Sequence, residues 1–136
     1  MPTNPYRLLL LDPNFVTRIA LTSRLEASGH LVRAEKTVST AARAATSSNW
    51  DLIIASASLA PADLEAFFET LAMTDSKAIL CVVMESDDRP RKEIAERFHA
   101  RLLAHPVRPQ TLAEFLPVRK PGADSTAEPS PFFRTA

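Results

Sequence analysis

Apolar residues in this chain come as short runs separated by helical stripes. Arg7–Leu11 carries four consecutive leucines, a run too short for a helix and suited to a strand buried on both faces. Asn14 can cap a helix over 14–28 that Gly29 closes. Within it, Phe15 with Ile19 and Leu21 with Leu25 are i,i+4 pairs expected on a core-facing stripe. Leu31–Glu35 reads as a second strand, and Ser39 or Thr40 opens an alanine-rich helix to about Ser48. Leu52–Ala55 is an all-apolar third strand. Pro61 suits the first turn of a third helix, followed by Leu64, Phe67, Phe68 and Leu71 at i, i+3, i+4, i+7. Residues 78–84 form a fourth strand. Asp87 or Asp88 starts a fourth helix with Ile94 and Phe98 inward, and Arg101–Ala104 makes a fifth strand. A short fifth helix over 110–116 is preset by Pro109 and stopped by Pro117.

This is β-α five times over, which predicts an α/β fold with a parallel sheet and helices on both faces. Right-handed crossovers leave the flavodoxin-like strand order 2-1-3-4-5 as the expected topology of this (βα)5 doubly wound sheet, with ligand sites at the strand C-terminal ends. Residues 1–118 are expected to form one domain. Residues 119–136 contain Pro121, Gly122, Ser125, Pro129, Ser130 and Pro131 and read as a polar, Pro/Ser-rich C-terminal tail. With glycine only at 29 and 122, there is no phosphate-cradling glycine loop, which argues against a nucleotide-binding enzyme.

Charge and cysteine content narrow the classes further. Sixteen basic and sixteen acidic residues cancel, so no field draws the chain to nucleic acid or an acidic membrane. No apolar run approaches the ~20 residues of a membrane span. The lone Cys81 excludes an internal disulfide framework and fits a reducing compartment. A cytoplasmic location is expected. His30 and His99 show no metal-ligand spacing.

Over about 6–116 the sequence resembles the receiver domain of bacterial response regulators. Leu8-Leu9-Leu10-Leu11-Asp12 resembles the first strand with its acidic end. Arg18 falls where many receivers carry a basic residue, and Gly29 closes the first helix at the usual distance. Asp51-Leu52-Ile53-Ile54 resembles the approach to the phosphoacceptor, and Leu102-Leu103-Ala104-His105-Pro106 resembles the fifth strand and the Lys-Pro after it.

The resemblance also marks departures. The acceptor aspartate is replaced by Ser56, and Pro13 occupies the second acidic place beside Asp12. The hydroxyl residue closing the fourth strand falls on Val82 or Val83, with Val83 taken as the site position. The lysine after the fifth strand becomes His105, and the switch aromatic becomes Leu102. A serine lacks the carboxylate that attacks phosphorus, and Mg²⁺ usually takes one or two carboxylates plus phosphate. The resemblance therefore implies a degenerate phosphorylation site at Asp12, Pro13, Ser56, Val83 and His105, with Mg²⁺ binding weak or absent and no other cofactor. Catalytic residues are expected to be absent.

Plainer readings stand beside these. Ser56 reads first as a small strand-end residue satisfied by neighbouring backbone. His105 reads as a turn residue, with pairing to Asp12 as the sharper alternative. Cys81 in its apolar strand is expected to be an inert core residue, and Trp50 to pack at the entry to the third strand. The run 87–93 reads as a solvated helix start. As the resemblance places partner contacts on the fourth helix, fifth strand and fifth helix, Arg89, Arg91, Lys92 and Arg101 are the candidate partner surface. A fifth helix cut short by Pro117 predicts a monomer or weak homodimer.

Two functions follow. One is a pseudo-receiver: a non-enzymatic, phosphorylation-independent interaction module of two-component signalling, recognising a histidine kinase, a phosphotransferase or an output protein. The alternative is an α/β module that binds a small molecule in the strand-end crevice, lined by Asp12, Ser56, Ser58 and His105.

Overall fold

The computed structural model describes residues 6–115. The strands are β1 (Arg7–Leu11), β2 (Leu31–Glu35), β3 (Leu52–Ala55), β4 (Ile79–Met84) and β5 (Arg101–Ala104). The helices between and after them are α1 (Phe15–Ala27), α2 (Val38–Ser47), α3 (Pro61–Ala72), α4 (Arg89–Arg97) and α5 (Pro109–Phe115). All strand pairs are parallel, in the order β2-β1-β3-β4-β5. The α/β doubly wound fold read from the alternation is the fold observed. The tail expected from residue 119, the domain limit at 118 and the stop at Pro117 lie outside the described residues.

Local chemistry fixes the element ends. The Asn14 side chain accepts from the Thr17 amide at 3.0 Å and caps α1. The helix ends into Gly29 at φ +95°, the left-handed backbone that glycine adopts without strain. Thr37, rather than Ser39 or Thr40, caps α2 by accepting from the Thr40 amide at 3.1 Å. Asp88 caps α4. α3 has no side-chain cap and relies on Pro61 in its first turn.

Strand side chains alternate between two cores. Leu9, Leu11, Ile53, Ala55 and Val82 face α2, α3 and α4, where Phe67, Phe68 and Leu71 fill the space. Leu8, Leu10, Leu52, Ile54, Cys81, Val83 and Leu103 face α1 and α5. Cys81 is buried and its thiol is pushed up to about 12, by burial first and against the pull of Arg101. Trp50 donates to the Ala44 carbonyl at 3.0 Å and carries the Arg7 guanidinium 5.2 Å from its ring. Ile94 is buried and Phe98 meets Phe68 edge-on at 5.6 Å, as α4 was expected to present them.

One expectation fails on α1. Leu21 and Leu25 are buried, but Phe15 is 67% and Ile19 51% exposed. Residue 21 lies six positions after residue 15, about 600° of helical rotation at 3.6 residues per turn, or 240° round the helix. The two pairs therefore occupy different faces, and only the leucine pair meets the core.

Candidate functional site

Strand register assembles the site. Leu11 pairs with Ala55 and Ala55 with Val82, so the next residues, Asp12, Ser56 and Val83, stand in a row across the sheet. They continue the set of side chains that faces α1. Met84 pairs with Ala104, which brings His105 beside Glu85, and the His105 amide donates to the Met84 carbonyl at 2.9 Å. The His105–Pro106 bond is cis. Asp12, Thr17, Arg24, Ser56, Ser58, Val83, Glu85 and His105 all line one cleft of about 70 Å³.

The cleft is satisfied from within. Asp12 is 1% exposed. One of its carboxylate oxygens accepts from the Asn14 amide at 2.9 Å and the other from the Thr17 hydroxyl at 2.6 Å. Arg18 donates to the Asp12 main-chain carbonyl at 3.0 Å. This acid therefore clamps the start of α1. His105 takes no part in these bonds, so the alternative pairing of His105 with Asp12 does not form. The Ser56 hydroxyl accepts from the Ser58 amide at 3.0 Å and lies 3.3 Å from the Ser58 hydroxyl. That is a local serine turn.

Structure settles the fourth-strand position: Val83 lines the cleft, while Val82 points to the opposite core. Pro13 is exposed at the start of α1 and Leu102 is 39% exposed on the edge strand. Of the expected partner surface, Arg89, Lys92 and Arg101 are exposed, whereas Arg91 turns inward, a correction to the sequence reading. Its guanidinium pairs with Asp88 and donates to the main-chain carbonyls of Ala57, at 3.0 Å, and Leu59. A forked cation reaches two acceptors on one loop, and the β3–α3 loop supplies them. Burial pushes Asp88 up, but the hydrogen bonds and charge of Arg91 outweigh it and hold the carboxyl below its ordinary value.

Thr17, Arg24 and Glu85 were not anticipated. Thr17 follows Asp12 by five residues, one turn into the helix, and that spacing of an acid and a hydroxyl was the available signal. Arg24 donates to the Val107 carbonyl at 2.8 Å and ties α1 to the segment before α5. Glu85 follows Val83 by two residues, the period that returns a strand to the same face.

These residues do not fit a resident Mg²⁺. Both Asp12 oxygens are hydrogen-bonded, Pro13 has no side-chain donor and Ser56 supplies a neutral hydroxyl already engaged by Ser58. Glu85 is, among the described residues, the only other carboxylate lining the cleft, and it is exposed. Among the described residues no group of three acidic, histidine or cysteine side chains is placed to hold a metal ion. No helix among the described residues is long and apolar enough to cross a membrane.

No family model and no curated protein matches this sequence. Solved structures do match. The chemotaxis response regulator CheY4 of Vibrio cholerae superposes with TM-score 0.70 at 17% identity, covering 82% of this chain and 96% of that one. The receiver domain of a Pseudomonas aeruginosa sensor histidine kinase, which holds magnesium in its active-site cleft, gives 0.71 at 16%, covering 82% and 94%. The receiver domain of the Saccharomyces cerevisiae response regulator Ssk1, crystallised with the histidine phosphotransfer protein Ypd1, gives 0.62 at 15%, covering 82% and 86%. The fold is that of the CheY-like receiver domains.

Proposed function

We propose that this chain is a pseudo-receiver of two-component signalling: it binds a protein partner, a kinase, a phosphotransfer protein or an output protein, without accepting a phosphoryl group. The observation that carries this reading is the self-satisfied row of Asp12, Ser56 and Val83. Where phosphoryl transfer needs an ionised nucleophile, the cleft offers a hydroxyl bonded to its own loop and a valine. The Ssk1 receiver, crystallised with a phosphotransfer protein, gives the kind of partner a precedent. The reading makes the protein a binding module in the cytoplasm and not an enzyme.

A metabolite-binding role for the same crevice has less support. Ligand pockets usually span about 300–1,000 Å³, and about 70 Å³ holds a few waters. A groove of about 530 Å³ lies at the opposite end of the sheet, near Trp50 and Lys77, remote from Ser56.

Amide NMR of the full chain with Mg²⁺ and beryllofluoride tests the proposal. No shifts are expected at Asp12, Ser56 or His105. The same result is expected for Ser56→Asp, because Pro13, Val83 and His105 remain. Specific saturable shifts there in the native chain would overturn the reading.

A further inference from the structure

The outward face of α1 serves neither the core nor the cleft. Phe15, Val16 and Ile19 are 67%, 71% and 51% exposed and lie within about one turn of each other on the side opposite Leu21 and Leu25. The Arg18 guanidinium sits 5.6 Å from the Phe15 ring, and the patch stays exposed among the described residues. Further along the same face, seven residues after Ile19, Glu26 is exposed.

Beyond Val118, the only large apolar side chains are Phe132 and Phe133, followed by Arg134. We propose that this Phe-Phe-Arg segment docks in cis on the outward face of α1. The rings would cover Phe15, Val16 and Ile19, and Arg134 would complement Glu26.

Placement and reach favour this occupant. The chain leaves the described fold at the end of α5, on the sheet face it shares with α1: Leu112 packs in one core with Leu21 and Leu25, and Arg24 holds the Val107 carbonyl. From Arg24 back to Phe15 is about 14 Å along the helix. Sixteen residues lie between Phe115 and Phe132, enough to span up to about 60 Å. Tethering also changes what affinity suffices. A three-residue patch is far smaller than the roughly 800 Å² per side of a stable interface between free proteins. A segment held at an effective concentration of order mM does not need such an area. A docked tail would withhold this face of α1 from other proteins.

The test uses the full chain with a nitroxide on Thr135→Cys. Cys81 is buried with a protonated thiol, so the label goes to position 135. Loss of amide NMR signals along Phe15, Val16, Ile19 and Ser23, with α3 and α4 spared, is expected. Restoration of those signals by Phe132→Ser with Phe133→Ser, and separately by Val16→Glu, is also expected. Signal loss absent from α1, or unchanged in these variants, overturns the proposal. A mixture of isotope-labelled unmodified chain with unlabelled nitroxide-bearing chain is expected to show no loss. If the loss appears in the mixture, the occupant is a second copy and docking in cis is wrong.

Discussion

The two faces of the sheet are built to different standards. On one, α2, α3 and α4 bury Phe67, Phe68, Leu71 and Ile94 against the strands, with Phe98 edge-on to Phe68. On the other, α1 contributes only Leu21 and Leu25, α5 contributes Leu112, and three large apolar side chains of α1 face outward. The sequence spends comparable numbers of large apolar residues on α1 and α3, yet only α3 buries all of them. Contiguous exposed apolar surface is a common feature of binding sites.

The comparison breaks most visibly under truncation. Phe68→Ala should cost about 3–5 kcal/mol, since the ring is fully buried and leaves a cavity between α3, α4 and β4. Phe15→Ala should cost far less, since this side chain lies outside the core. Urea unfolding of the two variants checks this. Equal losses would mean that α1 packs as tightly as α3.

Arg91→Ala comes next. It removes an ion pair with Asp88 and strips two loop carbonyls of their donor. Leaving half-buried partners unmatched costs about 1–3 kcal/mol. Arg91→Lys should not restore the loss, because one ammonium cannot replace the fork. Hydrogen exchange should quicken in the β3–α3 loop and the first turn of α4 while β1 and β3 stay protected. Uniform acceleration would show that Arg91 supports the whole fold and not that loop.

Most of this architecture was legible in the sequence, and the failures have physical causes. Strand positions followed from runs such as Leu8–Leu11 and Leu52–Ala55, because strands buried on both faces leave no polar position to blur them. The site row followed from strand ends alone, since a parallel register sets Asp12 beside Ser56. The phase of α1 was misread because i,i+4 spacing defines a stripe without saying which way it points. The six-residue offset between its two pairs was the overlooked signal. Arg91 was assigned to a surface because its acceptors are main-chain carbonyls more than thirty residues away, and no side-chain pattern announces a carbonyl.

The smallest expected effect separates the two faces by pH. His30 lies tilted against Tyr6, ring centroids 5.8 Å apart, beside the α1 core. Burial lowers its pKa, and Asp51 restores part of the loss. The folded chain therefore binds this proton less readily than the unfolded chain. Stability is intact where histidine is neutral in both states and declines as pH falls through the unfolded value of about 6.5 towards the lowered folded one. Asp88 behaves differently, since its folded pKa is depressed. Its contribution persists above the unfolded value of about 3.9 and is lost as pH falls further, through the folded one. Acid should thus weaken the chain in two windows, first through the α1 side near neutrality and then through the α4 side below about pH 4. Unfolding midpoints measured across pH should lose the upper window in His30→Gln and keep the lower one. Arg91→Ala should do the reverse, because the bonds that depress Asp88 are gone. If His30→Gln leaves the upper window in place, the group that titrates there lies elsewhere and the α1 side is not the acid-sensitive one.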